Sequence, residues 1–459
     1  MNDSELTAVL PATSGTQSIT SPIATPRNDF YVSSFSITQT SSHLWHMNII
    51  VPAASIDAVY HETVRLQQVS MTAPGFKKGT VPLEYIQENY LTTLTHHLKE
   101  FFLKFSVLNF LYSTIGTAKL PIAGEPRLET IDLTPHHDAH FRFALDIIPN
   151  IDIQEWKYLP FKAPKRKNYK DLDRQVEHFV AMEEQLYTSH SPEFGIHIGD
   201  WVLFGLAPVN NHHLPLMGNH VEKFWFKMGC EEVDNPLRTL FLGKKQGDSM
   251  YVSNRGIQQY LSNQLDIAYT FRVDILDTLP CTYLCLELFK RHFRIKTNKD
   301  MNKKLIEIFS YRNDLSQRRS MVESSLKLLM SKHIIEVPPA VILREQKQLL
   351  EVVQENPDYN VYRVQKDFNH RIRQLAEKQA REKIFIDSLA YKENIAVTNL
   401  DVKGYLNLGL RPRTKEFIYF RYEEPTLDGQ EVPIPAHILK RTCLREKTIN
   451  YSIFYLTKK

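Results

Sequence analysis

Hydrophobic and polar positions alternate with two different periods along this chain, one typical of strands and one typical of helices. Between residues 45 and 51 every second position is apolar, which predicts a strand with one buried face. From 55 to 64 apolar positions fall three or four apart, which predicts a helix that Ser55 can cap. The same helical spacing continues over 83–110. Two paired strands are then expected at 127–132 and 139–147.

The rhythm changes again in the second half of the chain. Residues 191–278 are rich in strand patterns and tight-turn residues, whereas 279–459 repeat at helical spacing between proline breaks. The predicted fold class is therefore α+β and multidomain, ending in an extended α-helical domain. The predicted divisions are a disordered extension, an α+β domain, a linker, a β-rich domain and the helical domain, at 1–28, 29–150, 151–190, 191–278 and 279–459.

Composition narrows the functional classes only slightly. The 459 residues are 42% hydrophobic and 24% charged, with a net charge of +4, so any polyanion contact must come from a local patch. The N-terminus has no pattern of a signal peptide, and no run of about 18 apolar residues occurs. A cytoplasmic protein without a membrane partner is expected. The four cysteines lack zinc spacing and are expected to be buried free thiols: Cys230, Cys281, Cys285 and Cys443.

One short loop carries the most specific local signal. It runs Pro74-Gly75-Phe76-Lys77-Lys78-Gly79-Thr80-Val81-Pro82. The two glycines allow positive φ values, and Pro82 presets φ for the first turn of the following helix. A rigid turn that presents one aromatic ring and two lysines to solvent suits a polyanionic partner. A basic loop with no partner is the alternative that composition alone leaves open.

Other candidate chemistry is weak. The three pairs of adjacent histidines (96–97, 136–137 and 212–213) have no cysteine or glutamate at ligand spacing, so no metal is expected. The Gly243–Gly247 stretch lacks the Gly-Lys-Ser/Thr of a nucleotide-binding loop, and no cofactor is expected. The basic tract 162–170 is compatible with contact to a polyanion or with a solvated linker.

The order of the parts resembles bacterial trigger factor. The family's loop, Gly-Phe-Arg-x-Gly-x-x-Pro, is matched by Gly75, Phe76, Lys77, Gly79 and Pro82, with Lys77 in place of arginine. Two further segments resemble the family's, the Phe143-x5-Pro149 strand exit and the Val337-Pro338 step before a helix. The resemblance extends over about residues 43–456.

This resemblance implies a ribosome-binding domain at the N-terminal end. The loop would dock on a tunnel-exit protein and nearby rRNA, with Phe76 as the apolar anchor and Lys77 and Lys78 on phosphate or carboxylate. Lysine keeps the charge but lacks the planar fork of arginine. The helical domain would shield unfolded nascent polypeptides without ATP. The resemblance also leaves open a homodimer away from the ribosome.

The middle block resembles the FKBP-type prolyl isomerase domain of the family, with departures. Isomerisation needs an aromatic-lined apolar cleft. Here a carboxylate falls on the expected floor and an aliphatic residue replaces an expected ring. A degenerate cleft of doubtful activity is therefore expected, serving as a spacer or an extra client surface; an active isomerase and a periplasmic chaperone are the alternatives. The cleft positions are Leu206, Phe224, Asp234, Leu237 and Tyr269.

Overall fold

The computed structural model contains two five-stranded sheets and a large set of helices, which confirms the predicted α+β multidomain fold class. It describes residues 18–19, 34–118, 120–148, 151, 153, 155–164, 171–189, 195–216, 221–229, 236–253, 267, 269–281, 284–313, 315–333, 335–422, 426–427 and 430–458.

The first sheet is antiparallel throughout and has the order β1-β2-β3-β5-β4. Its strands are β1 (Ser18–Ile19), β2 (Ser34–Gln39), β3 (Leu44–Val51), β4 (Arg127–Asp132) and β5 (Ala139–Asp146). The alternation predicted for 45–51 is confirmed, because Met47, Ile49 and Val51 are fully buried. The predicted pairing of the strands at 127–132 and 139–147 is also confirmed. Of the N-terminal extension, only β1 lies among the described residues.

Four helices and a π-helical turn pack on this sheet. They are α1 (Ala53–Ser70), α2 (Leu83–Asn89), α3 (Leu91–Phe102), the π turn (Leu103–Val107) and α4 (Leu108–Thr117). Two predictions were wrong in detail. Ser55 lies buried inside α1, and the helix begins at Ala53, whose N–H donates to Asp138 Oδ1 at 2.8 Å. The helix expected over 83–110 is interrupted at Tyr90, where ψ is 16°.

The second sheet is also antiparallel, with the order β12-β7-β6-β9-β8. Its strands are β6 (Trp201–Val209), β7 (Glu222–Lys227), β8 (Ser249–Val252), β9 (Thr270–Leu279) and β12 (Ile434–Pro435), and the short helix α6 (Pro236–Phe241) packs against it. The fifth strand comes from outside the predicted 191–278 block, since Ile434 pairs with Trp225. Strands β10 (Thr426–Leu427) and β11 (Gln430–Glu431) form a separate two-stranded antiparallel sheet.

The helical body takes up most of the remaining described chain. A single 3₁₀ turn (Trp156–Tyr158) and α5 (Leu172–Ser189) lead into the second sheet. The later helices are α7 (Leu286–His292), α8 (Asn298–Asn313), α9 (Leu315–Met330), α10 (Pro339–Gln354), α11 (Tyr359–Tyr362), α12 (Phe368–Lys392), α13 (Asn399–Gly409), α14 (Pro412–Lys415) and α15 (Ala436–Thr457). Helices α10 and α12 form a long antiparallel pair that we call the hairpin, residues 339–392. Among the described residues, no helix combines the length and the hydropathy needed to cross a bilayer.

The cysteines only partly match the expectation of buried thiols. Cys443 is buried, whereas Cys281 and Cys285 are half-buried, and all three are free. Cys281 and Cys285 do not share a helix face, because α7 begins after Cys285. Cys230 lies outside the described residues.

The described residues form two hydrophobic cores, and the second sheet lies between them. One face of that sheet belongs to the core of the first sheet and its helices, through Phe204, Leu206 and Phe271. The opposite face belongs to the core of the helical body, through Leu203 and Trp225. A sheet covered on both faces is a central layer of the fold.

Candidate functional site

The loop at 74–82, called the docking loop below, consists of two consecutive turns. Gly75 and Gly79 have φ values of +86° and +81°, the left-handed conformation expected from the sequence. The Phe76 N–H donates to the Ala73 carbonyl at 3.0 Å. The Thr80 N–H and hydroxyl both donate to the Lys77 carbonyl, at 3.0 and 2.8 Å. These bonds hold the backbone on both sides of the two lysines in one conformation.

The base of the docking loop is tied to the first helix of the sheet layer. Gln68 Nε2 donates to the Val81 carbonyl at 2.7 Å, and the Val81 side chain is fully buried. Pro82, with φ of −57°, immediately precedes α2 and is not its first helical residue. The fixed φ therefore sets the direction in which the chain enters the helix.

The tip of the docking loop presents a mixed apolar and cationic surface. Phe76 is 37% exposed and lies against Tyr85, with ring centroids 5.4 Å apart. Lys77 and Lys78 are both exposed, and within the described part of the chain neither forms an ion pair. Val69 and Leu83, at the two ends of the loop, add exposed aliphatic surface. Such a surface can combine an apolar anchor with charge-assisted bonds to an anion.

A groove runs between the hairpin and α15. Two neighbouring cavities of 770 and 670 Å³ lie along it. Residues that line both cavities are Glu125, Gln348, Lys383, Ile438, Thr442 and Arg445. The first domain consists of the first sheet and the helices α1–α4. Because Glu125 belongs to the connection between α4 and β4, this domain contributes one wall of the groove.

The charges inside the groove are mostly paired. Lys383 Nζ lies 2.5 Å from Glu345 Oε1, and Arg445 Nη2 lies 2.8 Å from Asp387 Oδ2. Burial alone would raise the pKa of Asp387, but Arg445 and Arg441 outweigh it and hold that pKa below its ordinary value. Paired charges between apolar walls make a lining that can contact many different peptide segments weakly.

The far end of the hairpin exposes an unusual amount of apolar surface. We call residues 352–364 the hairpin tip. Its exposed apolar side chains are Val352, Val361, Tyr362 and Val364, which are 54%, 62%, 41% and 75% exposed. Apolar residues that are this exposed and close in sequence are typical of a binding surface.

The positions expected to form a degenerate proline cleft are brought together, but they are not accessible. Leu206, Phe224, Leu237 and Tyr269 are 1%, 3%, 1% and 0% exposed and belong to one core. Asp234 lies outside the described residues. The same core includes buried residues of the first-domain helices, a connection that the sequence did not indicate.

Tyr269 shows how the first domain reaches this face. Its hydroxyl lies 2.8 Å from Thr63 Oγ1 and 3.0 Å from His97 Nε2. Its ring lies 4.6 Å from that of Phe101, centroid to centroid. Burial raises the pKa of Tyr269 above its ordinary value. The sequence assigned His97 only to a histidine pair, and no local signal connects it with a residue 172 positions away.

Within the described ranges, no group of three or more potential ligands is arranged for a metal ion. His136 Nδ1 lies 3.1 Å from Asp57 Oδ1, and the His213 ring lies against Tyr251 in a tilted arrangement, with ring centroids 4.0 Å apart. These partners, like the bond of His97 to Tyr269, account for one member of each predicted pair.

Similarity to known proteins covers most of the chain. A family model described as bacterial trigger factor protein matches residues 33–179, which include the docking loop. The trigger factor of Geotalea daltonii is 20% identical over 382 residues, covering 80% of this chain and 85% of that protein. The trigger factor of Chlorobaculum tepidum is 20% identical over 439 residues, covering 87% of this chain and 99% of that one. Over most of its length this chain is therefore similar to bacterial trigger factors.

Other trigger factors match a shorter segment more closely. That of Rickettsia rickettsii is 26% identical over 148 residues, or 32% of each chain. A solved structure described as the trigger factor chaperone, in work on promiscuous substrate recognition, is 17% identical and covers 91% of this chain and 98% of its own. Its TM-score of 0.37 is too low to compare the two arrangements. The roles of the individual loop and cleft residues remain predictions.

Proposed function

We propose that this chain is a trigger factor, a cytoplasmic, ribosome-associated chaperone that shields nascent chains without ATP. The observation that carries the proposal is the docking loop, a hydrogen-bonded double turn with an exposed aromatic ring and two exposed lysines. The loop lies within the segment matched by the family model.

The loop chemistry supports a partner made of both protein and RNA. Phe76 and the adjacent aliphatic side chains can bury apolar surface against a tunnel-exit protein. Lys77 and Lys78 can pair with rRNA phosphates or with carboxylates. Because hydrogen bonds hold the turn in one conformation, little conformational entropy is lost on docking.

The groove and the hairpin tip supply surfaces for unfolded clients. The tip offers exposed apolar side chains, while the groove alternates apolar walls with paired charges. Contacts of this kind are individually weak and spread over a large surface. Weak contacts allow a client to leave as its own core forms, without nucleotide hydrolysis.

Co-sedimentation with ribosomes tests the docking claim. The variant is Phe76→Ala/Lys77→Ala/Lys78→Ala, and the chain offers a matched control. A second Lys-Lys turn lies between glycines of positive φ at 243 and 247, next to the 49% exposed Leu242. The control variant is therefore Leu242→Ala/Lys244→Ala/Lys245→Ala.

We expect the docking-loop variant to lose at least tenfold in ribosome affinity and the control to bind as wild type. Equal binding by all three proteins would refute docking through this loop. Equal losses in both variants would show that only net charge matters.

Suppression of aggregation tests client shielding separately. We expect Val361→Ser/Val364→Ser to protect a denatured reporter protein less well than wild type, without any change in ribosome binding. Leu214→Ser/Tyr251→Ser removes comparably exposed apolar groups elsewhere and serves as the control. If the tip variant protects the reporter as well as wild type does, the hairpin tip does not bind clients.

A further inference from the structure

We propose that the apolar face of the second sheet is an internal docking surface for the first domain, not a site for prolyl peptides. The sheet then acts as a rigid layer that couples the docking loop to the groove. This role does not depend on whether the docking loop binds ribosomes.

Polar contacts join the first domain to Tyr269, which lies at the start of β9. Thr63 of α1 donates its hydroxyl to the Val59 carbonyl at 2.7 Å. The Tyr269 hydroxyl therefore donates to Thr63 and accepts from the Nε2–H of His97. Both bonds are buried, so each excludes water from the space where a proline ring would enter.

Aromatic packing extends the contact along β9. The Phe101 and Phe105 rings lie 4.6 Å and 5.6 Å from Tyr269 and Phe271, respectively, centroid to centroid. Phe101 and Phe105 belong to α3 and to the π turn that follows it. Phe101 and Phe105 are four positions apart, the spacing that places two side chains on one face of a helix, so both rings face the sheet.

Charged groups border the apolar contact on both sides. Arg65 Nη2 donates to Asn211 Oδ1 at one edge. Lys104 of the π turn interacts with the buried Glu222 of β7 at another. The first domain therefore contacts β7 and the loop that follows β6, in addition to its contact with β9.

The opposite face of the sheet is held by the helical body. Trp201 packs edge-on against Tyr422, with ring centroids 6.0 Å apart. Lys403 Nζ of α13 lies 2.9 Å from Asp277 Oδ1 of β9. The backbone of β12 completes the sheet beside β7. With both faces and one edge occupied, the sheet transmits the position of one domain to the other.

The accessible-cleft alternative requires a prolyl side chain to reach Leu206, Phe224 and Tyr269. None of these is more than 3% exposed, and Tyr269 is fully enclosed. Reaching Tyr269 would require the first domain to separate from it, because Thr63, His97 and Phe101 lie against this residue. The separation would break the two hydrogen bonds of Tyr269 and expose Phe101 and Phe105.

The first test measures isomerisation of a chromogenic tetrapeptide with a central X-Pro bond, using the full chain because β12 belongs to the sheet. Wild type is compared with Phe101→Ala/Phe105→Ala and with the control Leu91→Ala, an exposed position on α3. We expect all three to leave the rate at its uncatalysed value. Catalysis by wild type, or its appearance in the double variant alone, would overturn the proposal.

The second test measures backbone hydrogen exchange, which reports docking whether or not a peptide binds. We expect Phe101→Ala/Phe105→Ala to accelerate exchange at least tenfold in both α3 and β9, and Leu91→Ala to leave both unchanged. Acceleration in α3 with no change in β9 would show that the two domains are not coupled. If the double variant does not fold, Phe105→Leu, which keeps an apolar side chain, serves in the same comparison.

Discussion

The hydroxyl of Tyr269 and the Nε2 atom of His97 lie 3.0 Å apart although the two residues are 172 positions apart in sequence. Their rings are nearly parallel, with an angle of 19° between the planes. The bond joins Tyr269, which immediately precedes β9 of the second sheet, to α3 of the first domain. Because both side chains are buried, the bond also fixes the tautomer of His97, with the proton on Nε2.

Tyr269→Phe tests how much the hydrogen bonds of the Tyr269 hydroxyl contribute to the free energy of unfolding. The change removes one donor and one acceptor from a buried site while keeping the ring against Phe101. We expect the free energy of unfolding to fall by about 1–3 kcal/mol, because Thr63 and His97 each lose a buried hydrogen bond. Thermal unfolding should show a decrease in Tm of several degrees.

Tyr251→Phe is the matched control, because Tyr251 lies on the neighbouring strand β8 and is 49% exposed. Its loss should change Tm by less than about 1 °C, since the hydroxyl can bond to water. Equal decreases in Tm for the two variants would show that the buried hydrogen bonds of Tyr269 do not stabilise the protein more than the exposed hydroxyl of Tyr251 does.

Gly79→Ala tests the conformation of the docking loop. At Gly79 a methyl group would have room, since its nearest neighbour is the Val69 carbonyl oxygen at 4.0 Å. The positive φ alone should therefore cost about 1–2 kcal/mol, and the loop should bind ribosomes more weakly. Gly116→Ala, in the open last turn of α4, should instead be neutral or stabilising by up to about 1 kcal/mol. Ribosome binding unaffected by Gly79→Ala would mean that the turn need not be rigid.

The salt dependence of ribosome binding separates the roles of the loop side chains. If Lys77 and Lys78 contact phosphates, replacing both with alanine should reduce the slope of log K against log salt by about 1.4–1.8. Phe76→Ala should weaken binding at every salt concentration without changing the slope, because it removes apolar contact only. If the lysine substitutions leave the slope unchanged, Lys77 and Lys78 do not contact RNA phosphates.

Local patterns predicted the parts of this fold that depend on neighbouring residues. A strand with one buried face is enough to produce the alternation over 45–51. Two glycines are enough to predict the positive φ values of the docking loop. The break at Tyr90 was missed because neither glycine nor proline marks it; the apolar spacing simply continues into α3. Ser55 was mistaken for a cap because capping residues also occur inside helices.

Long-range packing could not be predicted in the same way. An apolar residue that lines an open cleft and one that packs under another domain look identical in sequence, so Leu206 and Tyr269 carried no sign of their burial. The addition of Ile434 to the second sheet was equally hidden, because it depends on a pairing with Trp225 more than 200 positions earlier. Recognition of the family supplied the order of the domains and not their contacts.

His437 links the first domain to the helical body beside the groove. Its ring stacks on Tyr112 of α4, with centroids 4.2 Å apart and an angle of 24° between the planes. Burial lowers the pKa of His437 to about 4, and the opposing effect of Glu125 does not restore it. The neutral imidazole is therefore the form that the packed interface accepts.

This pKa predicts a loss of stability in acid. In the unfolded chain the histidine takes up a proton near pH 6.5, while the folded protein resists it down to about pH 4. The stabilisation is complete above pH 6.5 and is lost as the pH falls toward 4, by about 2–3 kcal/mol. His437→Phe keeps an aromatic ring on Tyr112 without a titrating group, so its free energy of unfolding should fall less steeply over this range. His96→Gln, at an exposed position of α3, should reproduce the wild-type slope. Parallel pH profiles for wild type and His437→Phe, measured by denaturant unfolding, would show that acid acts elsewhere in the molecule.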